Sequence, residues 1–268
     1  MGDHSLSVSD ARRILELYEE SYLFFDDIDG YDRRKTLLSM NPGRSSQVMN
    51  AWFRDNMPSD ELTRVHRRVH SDCKVSFEYP FESAVSVSLK SIEKDAVCRA
   101  VTALRNMMPE IVILDLRGTS GSDADAAMEL AGSIASGLLC RQRFRRSDRY
   151  VVSRKPSMRP YAVFILTDGY TRAAAELAAV SLYVNSERTT VIGSETFGQD
   201  IGLETMGGLS AGPSVVFSMA SYRWSVRGKG PEALRDRESD RIVRCDPEDT
   251  RGCMVAVNRI LCERGWMG

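Results

Sequence analysis

The sequence predicts an α/β protein with a small helical N-terminal subdomain, and three observations carry that prediction. Short apolar runs at Ile111–Leu116, Tyr161–Thr167 and Thr189–Gly193 have the length and composition of parallel strands buried on both faces. Helical periodicity fills the gaps between them, at Ala124–Leu139 and Arg172–Tyr183, which gives the strand–helix–strand alternation of α/β folds. The segment before Cys73 instead shows helical spacing throughout. The expected organisation is therefore a helical subdomain at 1–72 and an α/β core at 73–268.

Taken in order, residues 9–25 form an amphipathic pattern. Ala11, Ile14, Leu15, Tyr18 and Tyr22 share one face, and Ser9 is placed to cap it. Helical pieces are expected at Arg34–Met40, stopped by Asn41-Pro42-Gly43, at Ser46–Arg54 and at Asp60–Val69. Lys74–Tyr79 and Ala84–Leu89 alternate like strands. Asp95–Met108 spaces Val97, Val101, Leu104 and Met108 as a helix does, and Pro109 closes it. Beyond the three core strands, Val215–Ser221 and Tyr222–Val226 add two more. Arg251–Arg264 reads as a terminal helix.

Composition narrows the function classes. The chain has 268 residues, is 43% hydrophobic and 27% charged, and carries a formal net charge of −1. Bulk charge gives no argument for nucleic acid or an anionic membrane. No apolar run reaches the length of a spanning helix, and the N-terminus has no basic region followed by an apolar stretch. The basic run Arg141–Arg159 holds eight Lys or Arg and one Asp. It is read as a solvated strand and loop rather than a phosphate-binding strip. Six cysteines are scattered without a Cys-x-x-Cys pair, so no zinc site and no other cofactor is expected. Cys245 and Cys253 flank a short acidic loop, and spacing leaves both free thiols and a disulfide open. His66 and His70, at i and i+4 on the expected helix, are read as part of a solvated basic face rather than as metal ligands.

Chemistry in α/β proteins gathers beyond the carboxyl ends of the strands. The first exit, Asp115-Leu116-Arg117-Gly118-Thr119-Ser120-Gly121-Ser122, has glycines and small polar residues. They permit a tight turn and backbone N–H groups facing an anion. The second, Thr167 to Glu176, is a strand-to-helix turn of the kind that presents a nucleophile, yet it offers Thr171 and no Ser or Cys. The third, Gly193 to Asp200, turns on Gly198. Gln199, where a base could stand, is an amide that does not titrate usefully.

Together these segments resemble the C-terminal processing, or tail-specific, serine peptidases. The motifs that carry the resemblance are Leu114-Asp115-Leu116-Arg117-Gly118, Leu166-Thr167-Asp168-Gly169, Thr171-Arg172-Ala173-Ala174-Ala175-Glu176, Arg188 through Gly193, and Glu195-Thr196-Phe197-Gly198. They occur in family order across Ile111–Leu203. Each is weak alone; their order and spacing are specific. The resemblance implies a crotonase-like or ClpP-like α/β core that cleaves polypeptides near their C-termini, with a serine nucleophile, a neutral lysine base and an assisting glutamine. Such enzymes usually carry a PDZ domain before the core, and the stretch Pro58–Lys74 is far too short for one.

Carried over residue by residue, the resemblance puts Ala173 at the nucleophile position, Gln199 at the general-base position and Leu203 at the assisting-glutamine position. The oxyanion hole falls on Gly118 and the N–H of Ala174. Thr119, Gly121 and Thr171 fall beside the substrate. A methyl group cannot attack a carbonyl, and removing the nucleophile or base costs several orders of magnitude in rate. The expected function is that of a pseudopeptidase binding a polypeptide or protein partner. One alternative is an active endopeptidase seen as a Ser-to-Ala variant, with Thr171 as a displaced nucleophile. Another is a crotonase-type enzyme acting on acyl thioesters. The resemblance implies a periplasmic or otherwise extracytoplasmic location; the N-terminus as written implies the cytoplasm if no leader was removed. Neither nucleic acid nor a membrane span is expected.

Overall fold

A computed structural model describes residues 6–28, 31, 46–56, 62–67 and 74–265. The chain divides into two compact units. One comprises 1–70, 143–148 and 201–223, and the other 71–142, 149–200 and 224–268. Both are discontinuous in sequence, whereas the expected organisation was a single cut between 72 and 73.

In the first unit, helix α1 spans Val8–Ser21 and buries Ala11, Ile14, Leu15 and Tyr18. Its cap is Ser7 rather than Ser9. The Ser7 hydroxyl accepts the Asp10 N–H at 3.1 Å, and the Asp10 carboxylate accepts the Ser7 N–H at 2.9 Å. This reciprocal box satisfies two N–H groups that the helix itself leaves orphaned. The helix also ends earlier than expected, with Phe25–Asp27 as a separate 3-10 turn. Helix α2 spans Ser46–Asn56. The expected helix at Arg34–Met40 lies outside the described residues.

The expected helix at Asp60–Val69 is corrected. Arg64–Arg67 is strand β1, which pairs antiparallel with Val215–Val216–Phe217–Ser218 of the long strand at Val215–Ser225. His66 therefore has no i+4 helical partner; its Nε2 lies 2.9 Å from the Ser218 hydroxyl. The cluster that binds this unit stacks Phe53 on Phe217 at 5.2 Å and Tyr18 on Tyr22 at 4.8 Å.

The second unit is built on a six-stranded sheet. Its strands are β2 (Val75–Glu78), β3 (Ala84–Leu89), β4 (Ile111–Asp115), β7 (Ala162–Thr167), β8 (Thr189–Gly193) and β11 (Ile242–Arg244). Between β4 and β7, strands β5 (Gly137–Phe144) and β6 (Asp148–Ser153) follow one another. The spatial order is β11-β8-β7-β4-β3-β2, parallel except for the antiparallel edge strand β2. Strands β7 and β8 are buried at every residue, as expected for a sheet covered on both faces.

Helix α3 (Lys94–Met107) joins β3 to β4, α4 (Ala124–Ile134) follows β4, and α5 (Ala174–Asn185) joins β7 to β8. Helix α4 stops short of the expected Leu139. Gly137 has φ +116, and a Cβ there would lie 2.8 Å from the Asn185 side chain. Helix α5 is buried from Ala174 to Tyr183, apolar on every side apart from Glu176 and Ser181. The C-terminal helix α6 (Thr250–Glu263) packs Cys253, Val257 and Leu261 against Ile113, Phe164 and Ile192.

Two strands were read differently from sequence. Ile201–Met206 is strand β9, which was not expected. Val215–Ser225 is one strand, β10, with a bulge between Ala220 and Tyr222 where two strands were expected. The basic run falls on the end of β5, a turn and exposed β6, in agreement with a solvated strand and loop. Among the described residues no helix is long and apolar enough to cross a membrane, and no cluster of ligands suits a metal ion.

Candidate active site

Register brings the three strand exits together. Asp115 at the end of β4 lies opposite Leu166, and Thr167 at the end of β7 lies opposite Gly193. The turns after them leave the same edge of the sheet and are laced by backbone bonds. Arg172 N–H donates to Thr119 O at 3.1 Å, Ala174 N–H to Gly121 O at 3.1 Å, and Phe197 N–H to Thr171 O at 3.0 Å.

In the first turn, Arg117 is clamped. Its guanidinium reaches both carboxylate oxygens of Asp115 at 2.8 and 2.7 Å, the Pro247 carbonyl at 2.7 Å and the Thr250 hydroxyl at 3.1 Å. The hydrogen bonds it donates to the Asp115 carboxylate raise its pKa further, so it stays a cation. Gly118 follows at φ +65, a conformation glycine adopts without a Cβ penalty. A Cβ at Gly121 would lie 2.4 Å from the Ile92 carbonyl, so only glycine fits there. Thr119 is fully buried, with its hydroxyl donating to Leu89 O at 2.6 Å.

Asp168 organises the second turn. Its Oδ1 accepts the N–H groups of Tyr170 at 3.0 Å and Thr171 at 2.8 Å, while its Oδ2 accepts the N–H of Gly118 at 2.8 Å. Thr171 is fully buried. Its hydroxyl lies 2.8 Å from Leu116 O and accepts the Asp168 N–H at 3.0 Å. That hydroxyl is spent on the turn itself.

Ala173 then enters helix α5 as its N-cap, at φ 54 and ψ −118. Positive φ is uncommon for any residue with a Cβ and stores strain of about 1–3 kcal/mol. It is the sharp strand-to-helix turn that lifts a side chain out of the fold. Here the side chain lifted is a methyl.

Glu176, three residues into the same helix and fully buried, binds both this turn and the third one. Its carboxylate accepts the N–H groups of Ala173 at 3.2 Å, Gly198 at 2.5 Å and Gln199 at 2.8 Å. Gly198 sits at φ +95, and the Arg235 guanidinium donates to Thr196 O at 3.2 Å and Phe197 O at 3.3 Å. The structure thus brings together Gly118, Thr119, Gly121, Thr171, Ala173, Ala174 and Gln199. Leu203 belongs to the first unit, half-buried on β9 opposite Ala220. Sequence reasoning missed Asp168 and Glu176. The cue for both was a carboxylate within three residues of a turn's backbone N–H groups.

The family model of peptidase family S41 matches residues 84–224, a stretch holding all three turns. The chain belongs to peptidase family S41. Solved structures agree with this S41 fold at low identity. A lipoprotein from Streptococcus agalactiae superposes with a TM-score of 0.63 at 16% identity, over 83% of this chain and 87% of that one. A candidate peptidase from Parabacteroides merdae gives 0.54 at 14% identity, over 95% and 96%. The photosystem II D1 C-terminal processing protease gives 0.51 at 18% identity, over 76% of this chain and 53% of the protease. No curated protein sequence matches. The core of the S41 chain is the crotonase/ClpP-like α/β fold that the motifs implied.

Proposed function

We propose that this S41 chain binds a polypeptide without cutting it. The observation that carries the reading is the turn at Ala173. It keeps the strained backbone of a nucleophile elbow, at φ 54, and offers a methyl group. The base position, Gln199, is an amide. The two oxyanion positions are occupied from within, Gly118 by Asp168 and Ala174 by the Gly121 carbonyl. An oxyanion needs donors aimed at it and free to bond. The buried Thr171 hydroxyl supplies no replacement nucleophile.

Binding has its own support. Tyr170 and Phe197 stand 77% and 59% exposed on the two loops joined by the Phe197-to-Thr171 bond. Exposed aromatic residues are enriched where proteins bind one another. An active chain whose serine has been replaced by Ala173 is the second reading, favoured by the strain kept at that position. Gln199 argues against it, because one substitution suffices to inactivate.

The experiment is incubation with unfolded casein and, separately, with a fluorophosphonate probe. Neither cleavage nor labelling is expected, while labelled unfolded peptides bind. Cleavage or labelling overturns the proposal, and a serine codon at position 173 in the native gene supports the second reading instead. Acyl-CoA binding in a calorimeter, with no peptide binding, would point to thioester chemistry.

A further inference from the structure

Cys245 leaves β11, and Cys253 lies in the first turn of α6. Their sulfurs are 3.2 Å apart, while Cys98, Cys140 and Cys262 have no such neighbour among the described residues. The two thiols differ in access. Cys253 is fully buried among Ile113, Phe164, Ile192 and Val257, with its S–H donating to Asp246 O at 3.6 Å. Cys245 is half-buried and lines a cavity of about 420 Å³ together with Gly193, Arg237 and Arg244. One sulfur is open to a small reagent; the other waits behind it.

We propose that Cys245 and Cys253 form a reversible disulfide by exchange with a small-molecule disulfide, with Cys245 attacking and Cys253 resolving. In the first step the Cys245 thiolate attacks one sulfur of the reagent RSSR, giving a mixed disulfide on Cys245 and releasing RS⁻. In the second, the Cys253 thiolate attacks the Cys245 sulfur, closes the protein disulfide and releases the second RS⁻. Two protein thiols and one RSSR become one protein disulfide and two RSH, so the reagent takes up both electrons and both protons. The cavity wall carries Arg237 and Arg244 against one carboxylate, Glu195, 3.7 Å from Arg237, and this balance favours an oxidant bearing carboxylates, such as oxidised glutathione.

The bond has a consequence at the strand exits. The closed ring contains Asp246–Asp249, and with it the Pro247 carbonyl that holds Arg117; Thr250, which also holds it, lies in the ring as well. Arg117 directly precedes Gly118. The reduced protein already forms this clamp, and oxidation tethers it.

The test treats the full chain with oxidised glutathione in mildly alkaline buffer, then maps peptides by mass spectrometry without reduction. The expected product carries a Cys245–Cys253 cross-link, two hydrogens lighter across that pair, whatever glutathione exposed Cys98 and Cys262 have taken up. Its thermal midpoint rises by about 5 °C, a gain that dithiothreitol reverses. Cys253→Ala is expected to stop at the glutathione adduct on Cys245. The inference is overturned if the wild-type chain retains glutathione on Cys245, if cross-links form to Cys98 or Cys262 instead, or if both thiols stay reduced throughout.

Discussion

Ala173 and Gln199 donate their backbone N–H groups to the same oxygen, Oε2 of Glu176, at 3.2 and 2.8 Å. One buried carboxylate thus fixes the turn at Ala173 and the turn at Gln199 relative to each other. It does so through the backbone, so the geometry persists whatever side chains stand at 173 and 199. The N-terminus of α5 favours the negative charge that makes these bonds strong.

Glu176→Ala should cost about 2 kcal/mol, because three N–H groups at half-buried Ala173 and Gln199 and exposed Gly198 lose a carboxylate acceptor. The loss should concentrate in the third turn. Hydrogen exchange at Gly198 and Gln199 is expected to accelerate well beyond that of β7 or β8. A uniform change across the sheet would show that Glu176 acts only as packing.

On the proposed reading of Gly118 as an oxyanion donor, Asp168→Asn should release its N–H without dismantling the turn. The retained Oδ1 can still accept from Tyr170 and Thr171, while the new amide cannot accept from Gly118. In the double variant Ala173→Ser with Gln199→Lys, the fluorophosphonate should label slowly. Adding Asp168→Asn should raise that rate by at least tenfold, since one oxyanion donor is typically worth two to three orders of magnitude. An unchanged rate would mean that Gly118 contributes nothing as a donor.

Relief of strain gives a separate check on the turn itself. Ala173→Gly should stabilise the chain by about 1 kcal/mol, the strain at φ 54 outweighing the extra entropy of glycine in the unfolded state. Urea unfolding measures it. A destabilised glycine variant would show that the backbone at 173 is comfortable with a Cβ.

Much of the second unit was legible because its strands are short apolar or alternating runs set off by helices and turns. Ala84–Leu89 and Thr189–Gly193 begin and end where the sequence places them. The first unit was harder. Arg64–Arg67 has no strand pattern of its own and is a strand because β10 offers it a ladder, and Ile201–Met206 pairs with the same strand. At the site, the turns and their order could be read from motifs. The acceptors could not. Spacing hints at the bonds Asp168 and Glu176 make within their own turn, but their reach to a second loop, at Gly118 and at Gly198–Gln199, depends on where backbone N–H groups converge in space.

Burial and the neighbouring Cys253 push the Cys245 thiol up to about 12; Arg117 pulls it down, and Asp246 pushes it up. The thiolate is the reactive form, so iodoacetamide should modify Cys245 slowly at neutral pH. The rate should rise roughly tenfold per pH unit up to the thiol pKa. Exposed Cys98 and Cys262 should react first. Fast modification of Cys245 at neutral pH would contradict the elevated pKa.

Asp10 gives the first unit an acid-sensitive anchor. Burial raises its pKa, but bonds from Ser210 and Ser7 outweigh that and leave it below 3.8. A carboxylate depressed in the folded state stabilises fully above its unfolded pKa, and that stabilisation is lost as pH falls through the folded value. Asp10→Asn should therefore cost roughly 1 kcal/mol at neutral pH. The difference from wild type should vanish in strong acid, where both side chains are neutral. Ser7→Ala removes the hydroxyl that caps α1 and should cost about 1 kcal/mol as well. Urea midpoints collected from acid to neutral pH distinguish the two, because Asp10→Asn flattens the acid limb of the stability curve while Ser7→Ala mainly lowers it. Parallel curves for wild type and Asp10→Asn would show that the charge on Asp10 does not hold the start of α1.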